Sequence, residues 1–355
     1  MRLRTLHRLI GIALGVFWAF QALTGVLLVF RWELDDALLE GPAKALDVQG
    51  LQDRVSSIGA AKGSVSSVWT SGSAANRFDI YYADVRGVDR TMRVDGAGNT
   101  LRDEPDGMLS SAGGFFNALT TMHTSLFGGR SGELIVAGSG VVLLANLFAG
   151  LRLAWPRAQR WRDVLFVSGR HVADSLRWHR SIGLWTILPL AVLVTCGIAL
   201  AFRSELEHWL GTELVEPTTM NVSAEDSRRV GLAAVLTTAF AAHEDAALTA
   251  LVLPQRDAPW YRVRLRGPEE RARIWGTTTV LIDATTGQVV GDHPASSASR
   301  GRWFIDLLYP LHTGQQGGAP LRSAVLLIGC LLMAIITIGL RRAWVKRRPG
   351  SGASC

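Results

Sequence analysis

Of 355 residues, 48% are apolar, the chain carries a net charge of +7, and there are three cysteines. The apolar residues are bunched into runs, so the length does not imply one large soluble core. Cys196 and Cys330 fall inside apolar runs and Cys355 is the last residue, which excludes a disulfide framework for the polar segments.

The positive charge is not a nucleic-acid signature. Fifteen of the 37 basic residues lie in 1–8, 152–180 and 341–348, with only Asp163 and Asp174 as acidic company. Basic residues massed beside apolar runs set membrane orientation, so the expected environment is lipid and no nucleic-acid partner is expected.

In chain order, residues 1–31 read as a cytoplasmic N-terminus and a first span over 9–30. The start "MRLRTLHR" resembles a signal peptide, but the apolar run is too long and "RWELDD" follows it, so a retained anchor is expected. Residues 32–112 form a first polar domain, with a helix over 47–60 and then strands in "SVSSVWT", "RFDIYYA" and "DRTMRVDGAGNTL". Residues 113–155 hold an interfacial helix and a second span (134–155), and 156–181 is a basic loop. A third span covers 182–202. A second polar domain (203–300) starts with a helical run that Ser223 and Glu225 or Asp226 would cap. Strands follow in "ALTALVL", "WYRVRLR" and "GTTTVLIDATTGQVV". Residues 301–340 hold an interfacial segment and a fourth span (323–340), and 341–355 is a basic tail. Pro310 is expected to break the interfacial helix just before His312. The positive-inside rule puts both termini and the 156–181 loop in the cytoplasm and the polar domains outside, in the periplasm of a Gram-negative cell. The expected location is the bacterial inner membrane.

The chain also matches itself. Shifted by 172 residues, "HRLIGIALGVFWAFQALTGVLLVFRWELDDAL" lies over "HRSIGLWTILPLAVLVTCGIALAFRSELEHWL". His7 then meets His179, Arg8 meets Arg180, Gly11 meets Gly183 and Gly25 meets Gly197. Shifted by 189, "FFNALTTMHTSLFGG" lies over "FIDLLYPLHTGQQGG", so that His123 meets His312. Farther on, Gly140, Gly150 and Arg152 meet Gly329, Gly339 and Arg341. The expected fold is therefore an integral membrane α-helical protein: four transmembrane helices in two parallel repeats, each with a small periplasmic α+β domain and a short interfacial helix. The turns at Asp95-Gly96 and at Asp283 to Gly287 read as backbone geometry closing a hairpin in each domain.

Four of the eight histidines occupy matched positions at membrane boundaries. A lone interfacial histidine is usually an amphipathic residue at the headgroups; two matched pairs suggest shared chemistry. A helix of about 20 residues rises about 30 Å, so His7 and His179 are expected near one face of the bilayer and His123 and His312 near the other. Two ligands per site are too few for zinc but suffice as axial ligands of a haem iron. No C-x-x-C-H occurs, so the expectation is two haems of b type. Gly11 and Gly183, one turn past their histidines, would leave room for a macrocycle, and Arg8 and Arg180 would pair with propionates. The plain alternatives are helix packing for the glycines and topology for the arginines. Pairing within a half rather than across halves stays open, and so does any part for His171.

The "LHR-x-x-G" helix starts, the "H-T-x-x-x-GG" segments and the strand "VLIDATTGQVV" together resemble the PepSY-associated transmembrane proteins along essentially the whole chain. That resemblance implies an iron-regulated inner-membrane protein, of a kind that includes di-haem reductases of ferric siderophores, with His7, His179, His123 and His312 as axial haem ligands. On this reading the partner is a ferric siderophore reduced outside the membrane. The electron donor is another molecule, a quinol or a cytoplasmic reductase, since no G-x-G-x-x-G follows a strand. The rival readings are a non-redox envelope module that binds a peptidase or senses a ligand, and a transporter of iron or siderophore. Against transport, the spans lack internal acidic residues or lysine. Trp260, Tyr261 and Arg302 are outward-facing candidates for contact with the chelate, without a defined pocket, whereas Trp303 reads rather as an interfacial anchor.

Overall fold

The computed structural model describes residues 2–39, 41, 44–72, 76–106, 112–156, 161–167, 175–217, 229–270 and 273–345. The first half holds α1 (Leu3–Leu28), α2 (Arg31–Asp36), α3 (Val48–Ala60), β1 (Ser64–Thr70), β2 (Phe78–Ala83), β3 (Asp89–Val94), β4 (Thr100–Pro105), α4 (Ala112–Ser125) and α5 (Gly129–Ala154). After the short α6 (Trp161–Leu165), the second half holds α7 (Ser175–Ala201), α8 (Arg203–Trp209), α9 (Leu232–Ala242) and β5 (Ala247–Val252). It continues with β6 (Trp260–Arg266), β7 (Thr278–Asp283), β8 (Val289–His293), α10 (Arg300–Thr313) and α11 (Gly318–Val345). The chain divides into a helical unit (Met1–Val29, Leu119–Arg203, Leu308–Cys355) and a sheet unit (Phe30–Ala118, Ser204–Leu307).

In the helical unit, α1, α5, α7 and α11 are each long and apolar enough to cross a membrane. A helix of 26 residues, such as α1, rises about 39 Å, more than a hydrocarbon core of about 30 Å. The surplus lies mainly at the polar ends, which continue the helix past the apolar runs marked in the sequence. His7 and His179 thus sit inside α1 and α7 rather than ahead of them. The helix α1 packs on α5 and α11, and α7 packs on the same two. The Trp18 indole of α1 donates to Ser139 O of α5 at 3.3 Å. At the far end, Arg322 of α11 donates to Val29 O at the close of α1.

The return into α5 is tight. Leu126 and Phe127 take positive φ (52° and 59°), and Gly129 follows at 51°. The matching turn before α11 uses Gly314 (φ 77°) and Gly318 (φ 60°), which adopt this conformation without a Cβ clash.

The sheet unit differs from the two separate domains read in the sequence. Its eight strands form one antiparallel sheet in the order β4-β3-β2-β1-β5-β6-β7-β8. The two four-stranded halves join through β1 and β5, where Val68 pairs with Leu251. Alone, each half would leave that strand as an open edge, which invites pairing with another chain. Alternation then sorts the faces. Val68, Ile80, Val94, Leu251, Val263 and Val280 turn to one side, where α3 and α9 cover them through Leu51, Ile58, Val235 and Leu236. Asp79, Thr91, Arg93 and Arg264 lie on the other.

One local expectation fails, and another falls outside the described residues. The capping Ser223 with Glu225 or Asp226 lies outside the described residues, and α9 starts later, at Leu232. Its N-cap is Gly231, which supplies no side-chain bond. The cap comes instead from α3, whose Gln52 Oε1 accepts the Ala233 N–H at 2.9 Å. Likewise α10 runs through Pro310 to Thr313 without breaking. Proline removes the bond to the carbonyl four residues back, and that carbonyl, Asp306 O, accepts from Arg273 Nη1 at 3.0 Å instead. The turn residues do behave as backbone geometry. Asp95 Oδ1 accepts from Ala97 N and Asn99 N, and Asp283 Oδ1 accepts from Thr285 N and Thr286 N.

Candidate functional site

The four matched histidines all lie in the helical unit, and they meet in two pairs. His7 of α1 and His179 of α7 have ring centroids 6.3 Å apart, with planes at 68°. His123 of α4 and His312 of α10 have centroids 6.3 Å apart, with planes at 41°. Each pair draws one ring from each half of the chain. The pairs lie at opposite ends of the helices. His7 is near the start of α1, whereas His123 meets α1 at Thr24, and 17 residues of helix span about 26 Å.

Each ring is held by its Nδ1. His7 Nδ1 lies 3.1 Å from Asn146 O of α5, and His179 Nδ1 lies 3.1 Å from Ile335 O of α11. His312 Nδ1 lies 2.9 Å from Leu193 O of α7. A carbonyl only accepts, so these three nitrogens carry the proton and donate it. His123 Nδ1 lies 2.9 Å from Thr24 Oγ1, whose own hydroxyl donates to Gln21 O at 3.0 Å, and the ring also bonds the Gln21 backbone. Thr24 therefore accepts from His123. In all four rings Nδ1 is engaged by the helical unit, which leaves Nε2 on the opposite side of the ring.

That is the state a metal-bound imidazole requires, with the far nitrogen donating to a carbonyl that fixes the tautomer and ring orientation. The ring centroids are 6.3 Å apart at both pairs, so that one bound group could meet both rings of a pair. Among the described residues no cluster of three or more His, Cys, Asp or Glu is placed to hold a metal. Each pair offers two imidazoles, a donor set that would suit an iron whose other ligands come from a macrocycle.

The other candidates divide. A Cβ on Gly183 would meet nothing within 4 Å, and one on Gly11 would meet only Asn146 Nδ2 at 3.9 Å, so both stand beside open space. Arg180 Nε donates to Ala154 O at 2.8 Å, capping the last turn of α5. Arg8 is exposed on α1. His171 lies outside the described residues. The other three unmatched histidines have local partners in the sheet unit: His208 with Glu213, His243 with Asp292, and His293 with Val215 O. Trp260 and Tyr261 do not face outward. Each is 6% exposed, and the Tyr261 hydroxyl donates to Val230 O. Arg302 is turned to Asp306 within α10.

Sequence reasoning passed over Thr24, Gln21, Asn146, Leu193 and Ile335, the residues that orient the rings. All but Thr24 act through a backbone carbonyl, which any residue type supplies.

The sequence profile described as the PepSY-associated TM region matches residues 4–347. No curated protein matches the chain.

Proposed function

The chain belongs to the PepSY-associated TM family, and from that premise we propose that it is a transmembrane electron-transfer protein that reduces ferric siderophores. Its two histidine pairs would each hold one haem of b type. The observation that carries this reading is the doubled pair of imidazoles, each 6.3 Å from its partner with Nδ1 committed to the helical unit. A solvated headgroup histidine needs neither a partner ring nor a fixed tautomer.

His7 and His179 would hold one group, and His123 and His312 the other. A haem bound in this way supplies a one-electron couple inside the bilayer. The chain's own contribution is orientation and exclusion of water. The four Nδ1–H donors fix the rings, and the open flanks of Gly11 and Gly183 leave space at the first pair. Arg8 sits at the helix boundary, where a propionate would find it.

The basic termini and the basic stretch around 152–180 favour a cytoplasmic side for His7 and His179 and a periplasmic side for the sheet unit. Reduction outside converts the substrate's Fe(III) to Fe(II), which hard oxygen donors hold more weakly, so the iron is released. The donor is a separate reductant, a quinol or a cytoplasmic reductase.

The test is an absorption spectrum of the purified protein with and without dithionite. A Soret band and a reduced α-band are expected. Their absence from protein expressed with adequate haem overturns the reading and leaves a non-redox envelope module. His179→Ala should remove one haem's absorbance and leave the other. Ferric-siderophore reduction, read by trapping Fe(II) with a chelator, then separates a reductase from a cytochrome that passes electrons elsewhere.

A further inference from the structure

The histidines share a feature that their pairing does not require. Three rings bond a helix carbonyl through Nδ1 and His123 bonds Thr24 Oγ1 beside the Gln21 carbonyl, and four residues past each of these carbonyls stands a glycine whose missing side chain faces the ring. His7 bonds Asn146 O, and a Cβ on Gly150 would stand 3.1 Å from His7 Cε1. His179 bonds Ile335 O, and a Cβ on Gly339 would stand 3.5 Å from its Cε1. His312 bonds Leu193 O, with Gly197 at 3.1 Å, and His123 bonds the Gln21 backbone, with Gly25 at 3.0 Å.

The spacing has a physical reason. A helix carbonyl at i points one lone pair at the N–H of residue i+4 and keeps a second for an outside donor. A ring that reaches this second lone pair must lie alongside residue i+4, where a Cβ would crowd it. Gly140 and Gly329 serve ordinary helix packing instead, and Gly138 faces open space. A Cβ on Gly140 would meet Ile198 Cγ1 and Val194 Cγ1, one on Gly329 would meet Val26 Cγ2, and one on Gly138 would meet nothing within 4 Å.

We propose that Gly25, Gly150, Gly197 and Gly339 are positioning residues, each forming with the carbonyl four residues before it a socket that fixes one histidine as its Nδ1–H tautomer. Each socket belongs to the same half of the chain as its ring, whereas each pair joins the two halves. Every half thus brings two pre-oriented imidazoles, and a bound ligand completes both sites across the halves. The socket itself does not depend on which ligand is bound; only its service to haem rests on the function proposed above.

The experiment is nitrogen NMR of the full-length protein, cofactor-free in detergent, with ¹⁵N-labelled histidine, beside the absorption spectrum of the loaded protein. Wild type should show His7, His179, His123 and His312 as Nδ1–H tautomers. Gly150→Ala should shift His7 towards the tautomer mixture of free imidazole, and Gly197→Ala should do so for His312. Each change should cost one of the two haems' absorbance. Gly138→Ala should alter neither readout. Unchanged rings in both socket variants, or equal changes in Gly138→Ala, would overturn the proposal. If Gly150→Ala fails to fold, His7→Ala/Gly150→Ala decides, because a methyl can occupy the space left by the ring. Recovery to the level of His7→Ala supports the socket, and no recovery rejects it. Four Nδ1–H rings that respond to the glycines in a protein without haem absorbance would sink the function and keep the socket. Full haem absorbance with unresponsive rings would do the reverse.

Discussion

A buried guanidinium persists only where its charge is answered, and Arg93, 3% exposed, is answered by several groups. It pairs with Asp79 through Nε, with Asp35 Oδ2 at 2.9 Å and with Ser71 Oγ at 2.6 Å, while Arg102 holds the other oxygen of Asp35 at 2.7 Å. Removing one member strands the rest, which costs about 3–5 kcal/mol in a buried pair. Arg93→Ala is therefore expected to lower the thermal midpoint of the purified protein sharply, whereas Arg86→Ala, at an exposed surface pair, leaves it nearly unchanged. The same cluster sets an acid limit. Burial pushes the Asp35 carboxyl up, but the Arg102 hydrogen bond and the charges of Arg93 and Arg102 outweigh it and hold the group below the ordinary range. A carboxyl depressed by folding contributes stability that is complete above its unfolded pKa of about 3.9 and is lost as pH falls through the folded value. Acidification below about pH 4 should thus destabilise the wild type. Asp35→Asn should be less stable at neutral pH and show a flatter acid slope in denaturant titrations.

The elements were largely legible in the sequence, because hydropathy marks a span and alternation marks a strand wherever the environment is uniform along the segment. "SVSSVWT" became β1 residue for residue, and the helix foreseen over 47–60 is α3. What failed were the ends, where a distant partner overrides the local rule. Pro310 is tolerated because Arg273, 37 positions earlier, takes the freed Asp306 carbonyl. Arg273→Ala should cost about 1–3 kcal/mol, the price of a buried group left unpaired. Pro310→Ala should offset part of that loss, since it restores the helical donor; equal melting midpoints for Arg273→Ala with and without it would refute this account. At α9 the cap comes from Gln52 on a neighbouring helix, so Gln52→Ala should lower unfolding stability by about 1 kcal/mol. The site was legible to the same extent. The echoes of 172 and 189 residues pointed to the histidines, but the ring acceptors are carbonyls of Asn146, Ile335 and Leu193, and no residue identity announces a carbonyl.

At the scale of the whole molecule, the two halves meet within both units: through the β1–β5 pairing and the α3–α9 contact in the sheet unit, and through helix packing and the two histidine pairs in the helical unit. Any ligand bridging a pair therefore binds the assembled protein and not a separate half, and such a ligand stabilises by mass action, about 4 kcal/mol at a thousandfold excess over its Kd. Two consequences can be measured. If the pairs hold haem as proposed, extracting it should lower the melting midpoint of the intact chain, and adding it back should restore it. Expressed as two polypeptides, 1–167 and 168–355, the protein should copurify as a pair, since backbone hydrogen bonds between β1 and β5 and the packing of α7 on α5 hold without a covalent link. Each polypeptide made alone brings one ring to each site and should carry no six-coordinate haem spectrum. A full low-spin spectrum from one half alone would mean that the rings pair within a half, and the cross-half arrangement would fall with it.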